Sequence, residues 1–364
     1  MIGEEVGFFF GRLSKISNSI TDVLNGEFTK IEGLNLIRIF KFVVGIYAIY
    51  FSSQYFFGIK PQSLSHLPIA FQTSLLTLQT VFFPFEDDFR GLWIVGILAL
   101  LLLLLEYFLP ADDFVGTKST GSDLIYFYIE NLGLSGFALY ISVSPFMDGV
   151  ETTLRSWGVP FLDLGGTLNL WNVPIVLAAI IHLFIFDGFD TIRHRFEHFF
   201  SGLWAFHSVH HSQTRMNFLT FDRNHVVSLV YNSIWYAAVA RFFGVKLDVL
   251  FIVFVVFHFI EYFAHANVKL SYGKFFDKVL VSPLYHRLHH ASAKKYNKPP
   301  YGCNFANVFP FWDIVMGTAN FNYEHVRTGI SGEGVKEIGR NYFAHQISGF
   351  IKFSFVLKNI YKNK

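Results

Sequence analysis

The chain has 364 residues, 52% of them hydrophobic and only 15% charged, with a formal net charge of +2 and one cysteine. A soluble domain carries about 25% charged residues, so this composition leans towards a membrane protein, as does the mean hydropathy of +0.39. The near-neutral balance, with no basic arm or basic–aromatic patch, excludes a nucleic-acid binder, and a lone Cys303 excludes an internal disulfide or a cysteine metal cage.

Taken in chain order, the N-terminal MIGEEVGFFFGRLSK is acidic before a short apolar run. It lacks the basic start and small-residue cleavage site of a signal peptide, so the spans are expected to stay in the mature chain. A bilayer span needs about 20 apolar residues. The first candidate is 40–57, and 69–83, bracketed by Pro68 and Pro84, reads as interfacial or re-entrant. The stretch 91–109 closes at Pro110, and 123–146 is weakened by Glu130 and Asn131. A fourth span, 171–190, leads into the histidines, and 226–243 with 247–268 reads as a helical hairpin turning at Gly244, Val245 and Lys246. The 46 phenylalanines suit a lipid-facing surface or a cavity for a long apolar substrate. Arg193, Arg195, Arg215 and Arg223, and later Arg287, Lys294, Lys295 and Lys298, place both histidine-rich stretches on the cytoplasmic face.

Of 15 histidines, 11 lie between His194 and His290. His194 and His198 in HRFEH share one helix face, about 6 Å apart at Cβ, and two such imidazoles can hold one metal ion at about 2.0–2.2 Å. In HSVHH, His207 faces the same way as His210 and His211, which diverge by about 100°; adjacent diverging ligands suit two ions. The pattern returns at His286, His289 and His290. His258 and His265 share a face of the last span, and His265, nearer its cytoplasmic end, is the better further ligand. A lone histidine is more often a surface or core residue than a ligand, but three ligand-spaced motifs together point to metal. His182 reads as a helix-to-helix hydrogen-bonding residue, His225 as a neighbouring group or further ligand, and His66, His325 and His345 stand alone. Imidazole suits zinc, copper, iron and nickel. Two divalent ions on neutral ligands call for nearby carboxylates or a bridging hydroxide, and Glu197, Asp187, Asp190, Asp222, Glu261 and Asp313 are available. Asp187 stands out, because a charge near the end of a span is costly unless paired.

HRFEH, FHSVHH and YHRLHH, in that order, resemble the three histidine boxes of the fatty acid hydroxylase and sterol desaturase superfamily, integral-membrane, O2-dependent, non-haem di-iron enzymes. Asp187, seven residues before His194, and HANV at 265–268 resemble further family marks, as does YGCNFANVFPFWDIVMGT with Trp312, Asp313, Gly317 and Thr318. Departures at Thr191, Arg193 and Pro300 touch no presumed ligand. The resemblance covers about 175–320 and implies His194, His198, His207, His210, His211, His265, His286, His289 and His290 as ligands of two iron ions. Asp187, Glu197, His225 and Asp313 are expected around them. Zinc could replace iron in a purified sample, since it binds imidazole more tightly than Fe2+.

The same resemblance implies O2 as co-substrate and oxidation of a lipid C–H bond, hydroxylation first and desaturation as the alternative. It also implies a separate electron donor or reductase, because no haem, flavin or iron–sulfur motif is present. The expected architecture is an all-α, polytopic bundle of about 4–6 spans with a cytoplasmic helical cap holding the dimetal site. Residues 166–325 would form the catalytic region, after an N-terminal membrane region 1–165 of unassigned role and before a tail 326–364 packed on the same domain. Two rivals stand against this reading. A metal-binding or transport protein would spread its ligands through the spans, and a bis-haem cytochrome would leave both HxxHH clusters unexplained.

Overall fold

The computed structural model describes residues 101–112, most of 122–129, and 134–292, 302–323, 326–330 and 341–362. All of them belong to the larger of the two units into which the chain divides, Phe51–Lys364. The expected elements at 40–57 and 69–83, and most of that at 91–109, lie outside the described residues. The described ones are helical, with two isolated bridges and no strand among them. In order they form α1 (Leu134–Ser156), α2 (Leu164–Leu170), α3 (Ile175–Phe199), α4 (Ser201–His207), α5 (Val226–Phe242), α6 (Leu247–His265), α7 (Pro283–His289), α8 (Phe311–Met316) and α9 (Tyr342–Lys362). Two 3-10 turns, His210–Ser212 and Phe218–Asp222, lie between α4 and α5.

α3 starts after Pro174 and runs past the expected end at 190 to Phe199, so the first histidine box sits on the same helix as the apolar stretch before it. Its two halves bury different chemistry. Ala178, Ala179, Leu183 and Phe186 join Val239 of α5 and Val249, Val253 and Phe257 of α6 in an apolar core. One turn on, Asp187, Asp190, His194 and Glu197 continue the same buried face with polar groups. α3 and Asp248–His265 are the two described helices long and apolar enough to cross a membrane. α5, with 17 residues, rises about 25 Å, short of a hydrocarbon core of about 30 Å. Of the expected element at 123–146, the described residues of 122–129 are helical, and α1 runs from Leu134 past the expected end to Ser156.

The hairpin of α5 and α6 turns at Gly244, which has φ +60°. This turn closes on the start of α2, where Gly165 donates its backbone N–H to the Phe243 carbonyl at 3.1 Å. A Cβ on Gly165 would stand 2.0 Å from the Gly244 oxygen. α9 packs on α4 with its polar side chains inward. Lys352 Nζ donates to Ser208 Oγ at 3.0 Å, and His345 and Ser348 are buried. Phe343, Ile347, Phe350, Ile351 and Phe355 of the same helix face outward.

Candidate metal centre

The chain returns to one place from five elements, and nine buried histidines meet there in two groups. His194 and His198 of α3, His207 of α4, His211 of the first 3-10 turn and His289 of α7 form a group of five. His210, His265 at the end of α6, His286 of α7 and His290 after it form a group of four. Within each group the ligand atoms all lie within 4.8 Å of one another. Both HxxHH boxes divide the same way: the i,i+4 pair stays together and the i+3 residue crosses to the other group. His207 and His211 share one group while His210 leaves it, and His286 and His290 share the other while His289 leaves it. The adjacent rings diverge accordingly, by 84° between His210 and His211 and 85° between His289 and His290.

The chemistry of this donor set decides what it fits. A carbonyl oxygen only accepts, so a ring nitrogen held against one carries the proton and leaves the other nitrogen with a bare lone pair. His194 Nδ1 donates to the Phe305 carbonyl at 2.9 Å, His289 Nδ1 to that of Cys303 at 2.9 Å, and His265 Nδ1 to that of Glu261 at 2.8 Å. His207 Nδ1 faces the Glu197 carboxylate at 3.3 Å. Their Nε2 atoms then converge: His194 and His207 at 3.1 Å, His289 and His211 at 3.1 Å, His265 and His286 at 3.0 Å. Where both rings are so held, as His194 and His207 are, the two bare lone pairs repel at that distance unless a cation lies between them. Two nitrogens bound to one ion at about 2.1 Å with a right angle between the bonds stand about 3 Å apart. The residues present therefore fit two metal ions.

Burial, reinforced by the neighbouring imidazoles, holds His207, His210, His211, His286 and His290 well below the ordinary histidine pKa. Burial brings His289 down to about 4. These rings are neutral at pH 7, the form that ligates a metal.

Around the groups, Glu197 joins three partners. It pairs with the Arg193 guanidinium at 2.8 Å, accepts from the Tyr231 hydroxyl at 2.5 Å, and faces His207 as above. Asp190 accepts from Arg193 Nε and from the Tyr236 hydroxyl, each at 2.6 Å. Asp187 and Asp313 touch no histidine of either group in the contacts described. Asp187 accepts the backbone N–H groups of Asn307, Val308 and Phe309 at 3.0, 3.0 and 2.7 Å. Asp313 accepts those of Phe305 and Ala306 at 2.8 Å. Both hold the loop whose carbonyls orient His194 and His289. Asp222 instead accepts from the Tyr262 hydroxyl at 3.0 Å, and the Glu261 carboxylate stands 3.9 Å from His265 Nδ1.

His225 lies outside both groups. Its Nδ1 accepts from Val227 N at 3.1 Å, capping α5, and its Nε2 donates to the Gln346 carbonyl at 2.8 Å. His258 donates within α6 to Phe254, and His182 donates to Ala178 of its own helix at 2.7 Å rather than to a neighbouring one. Sequence reasoning missed Tyr231, which carries no motif, and the two carbonyls, which no side chain announces. It also counted Arg193, Arg223 and Arg287 as interfacial charges. All three are buried in ion pairs with Asp190 and Glu197, Asp123, and Asp112, so they carry no weight for orientation.

The fatty acid hydroxylase family profile matches residues 179–318. The ornithine lipid hydroxylase OlsE of Rhizobium tropici is 27% identical over 145 residues, 40% of this chain and 42% of that protein. The alkylglycerol monooxygenase of Homo sapiens is 28% identical over 138 residues, 38% of this chain and 29% of that protein. That of Danio rerio is 29% identical over 127 residues, 34% of this chain and 26% of that protein. The matched stretch is thus less than half the length of each of these relatives. No solved structure matches the chain. The matched residues 179–318 carry all three histidine boxes and the loop that orients two of their members, so it is in this stretch that the chain is similar to the fatty acid hydroxylase family.

Proposed function

We propose that the protein is a membrane-bound, O2-dependent oxidoreductase that hydroxylates a C–H bond of a lipid, with two iron ions held by the nine histidines. The observation that carries this reading is the convergence of buried imidazole nitrogens in two groups, each with its ligand atoms within 4.8 Å of one another. When bound, the two irons would supply reductive activation of O2 and the oxidising power to remove hydrogen from an unactivated C–H bond. The chain's own part is to hold, orient and exclude water. Nine buried rings supply the ligand field, and every one of them is at most 7% exposed. Glu197 and the carbonyls of Cys303, Phe305 and Glu261 fix which nitrogen of each partner ring faces inward. Trp204 stands against the five-histidine group, its ring centroid 4.9 Å from that of His198 and 5.3 Å from that of His211.

The membrane reading is supported by the outward apolar residues of α3 and α6, such as Val176, Ile180, Phe254 and Val255, and by the outward stripe of α9. Additional spans among residues 1–165 would complete the bundle. The exposed Arg215, half-buried Arg195 and the lysines at 294, 295 and 298 support a cytoplasmic position for the metal centre. Electrons would come from a separate donor.

The test is lipid mass spectrometry of the native host with and without the protein, with His286→Ala as control. The relatives acting on an ornithine lipid and on alkylglycerols set the first two lipid classes to follow. A lipid gaining about 16 mass units only with the intact protein is the expected result. A loss of about 2 units would replace hydroxylation by desaturation. No lipid change, with the protein expressed and O2 and reductant present, would overturn the enzyme reading and leave a membrane metal-binding protein.

A further inference from the structure

The two carbonyls that orient the five-histidine group are separated by one residue, Asn304. It has φ +59°, a conformation that only one other described non-glycine residue, Asn172, adopts. Asn304 is fully buried, and both its backbone and its side chain are pinned. Its N–H donates to the Thr318 carbonyl at 3.1 Å. Its Nδ2 donates to the carbonyls of Tyr285 and Asn320, each at 2.9 Å, and its Oδ1 accepts from Asn320 N at 2.6 Å. Asparagine tolerates the left-handed region better than most residues, and here the side chain also ties the turn to α7 and to the strand of chain after α8.

The dihedral at 304 sets the angle between the peptide plane that carries the Cys303 carbonyl and the plane that follows it. Together with the dihedrals of Phe305 it aims the Phe305 carbonyl at His194 of α3 while the Cys303 carbonyl reaches His289 of α7. Those histidines are 95 positions apart and have no local reason to meet. The four-histidine group is built differently. Its His265 is oriented by the carbonyl of Glu261, one turn back on its own helix. The five-histidine group thus takes two orienting carbonyls from this loop, whereas His265 of the other group takes its own from α6.

The geometry points to the left-handed turn at Asn304 as a positioning device for the five-histidine group: it helps aim the two carbonyls that keep His194 and His289 in the metal-ligating tautomer. This rests on the metal reading above. The experiment is iron stoichiometry on the purified full chain, loaded anaerobically with Fe(II), by elemental mass spectrometry. Wild type is expected to hold about two irons and Asn304→Ala about one, since losing an orienting partner costs about 10–100-fold in metal affinity. Asn304→Gly is expected to keep about two, because glycine takes positive φ without strain. His210→Ala empties the other group, so the double variant Asn304→Ala/His210→Ala is expected to hold almost none.

Should Asn304→Ala fail to fold, Gly302→Ala asks the same question. Gly302 has φ +114°, and a Cβ there would meet Phe305 Cζ at 3.2 Å and His198 Nδ1 at 3.5 Å, both on the five-histidine side. Selective loss of one iron supports the proposal. Retention of both irons in Asn304→Ala, equal loss in Asn304→Gly, or loss of the same iron that His210→Ala removes would overturn it. A wild-type chain that binds fewer than two irons sinks the metal reading itself, and this proposal with it.

Discussion

A carboxylate buried against an arginine, a tyrosine and a histidine cannot become an amide without disturbing all three, and Glu197 is so placed. An amide lacks the charge that Arg193 faces and holds the His207 N–H less strongly. Glu197→Gln is expected to weaken iron binding about 10–100-fold, read by Fe(II) titration against a competing chelator. Unchanged affinity would mean that His207 needs no help from the carboxylate. Glu197 was visible in HRFEH as a charge beside two histidines. That it serves His207, ten residues on and on another helix, was not visible, because α3 and α4 meet at an angle set by the extended backbone at Phe200 (φ −91°, ψ 115°).

Among elements, the packing of α8 on α3 depends on Gly188. A Cβ there would stand 2.7 Å from the Trp312 ring, whose Nε1 donates to the Phe184 carbonyl at 3.0 Å. Gly188→Ala is expected to cost about 1–3 kcal/mol through overpacking. Gly149→Ala on α1, with nothing within 4 Å of the added carbon, should be neutral or stabilising by up to about 1 kcal/mol. Thermal unfolding of the two variants separates these outcomes; equal melting temperatures would show that Trp312 moves aside freely. Among the described residues, helix existence was legible in the apolar runs at 171–190, 226–243 and 247–268, but boundaries were less so. The apolar stretch at 171–190 suggested an end where burial switches from hydrophobic to polar side chains, yet the helix continues because Asp187, Asp190 and Glu197 all have buried partners.

For the whole molecule, the described segment at 101–129 joins the metal-bearing half through three acids. Glu106 accepts from the backbone N–H groups of Phe218 and Asn267 at 2.8 and 2.9 Å. Asp112 pairs with Arg287, the residue after His286. Asp123 pairs with Arg223 at 2.7 Å and accepts from Gln213, two residues after His211. All three acids precede the matched stretch 179–318, so part of the frame of the centre comes from the region with no sequence mark. Asp123→Ala strands a buried guanidinium, a change worth about 3–5 kcal/mol, and should lower the melting temperature of the purified chain sharply. A shift within error would show that Arg223 finds another acceptor. Chelation of the wild-type protein should also lower its melting temperature, because ions that bind only the folded state stabilise it by mass action. An unchanged transition after verified metal removal would sink that coupling.

The sequence by itself determined the donor chemistry and the pairs that travel together: 194 with 198, 207 with 211, and 286 with 290 are each one helical turn apart, and local helix geometry places such residues on one face. It also determined that adjacent histidines in each HxxHH box diverge. Only the tertiary structure decided which pairs share a group, that His289 joins the first box and His210 the end of α6, and which nitrogen of each guided ring faces inward. Helical periodicity couples residues across a turn or two, whereas these choices depend on packing between elements up to 95 positions apart. They depend as well on backbone carbonyls, which every residue carries and which the fold alone aims.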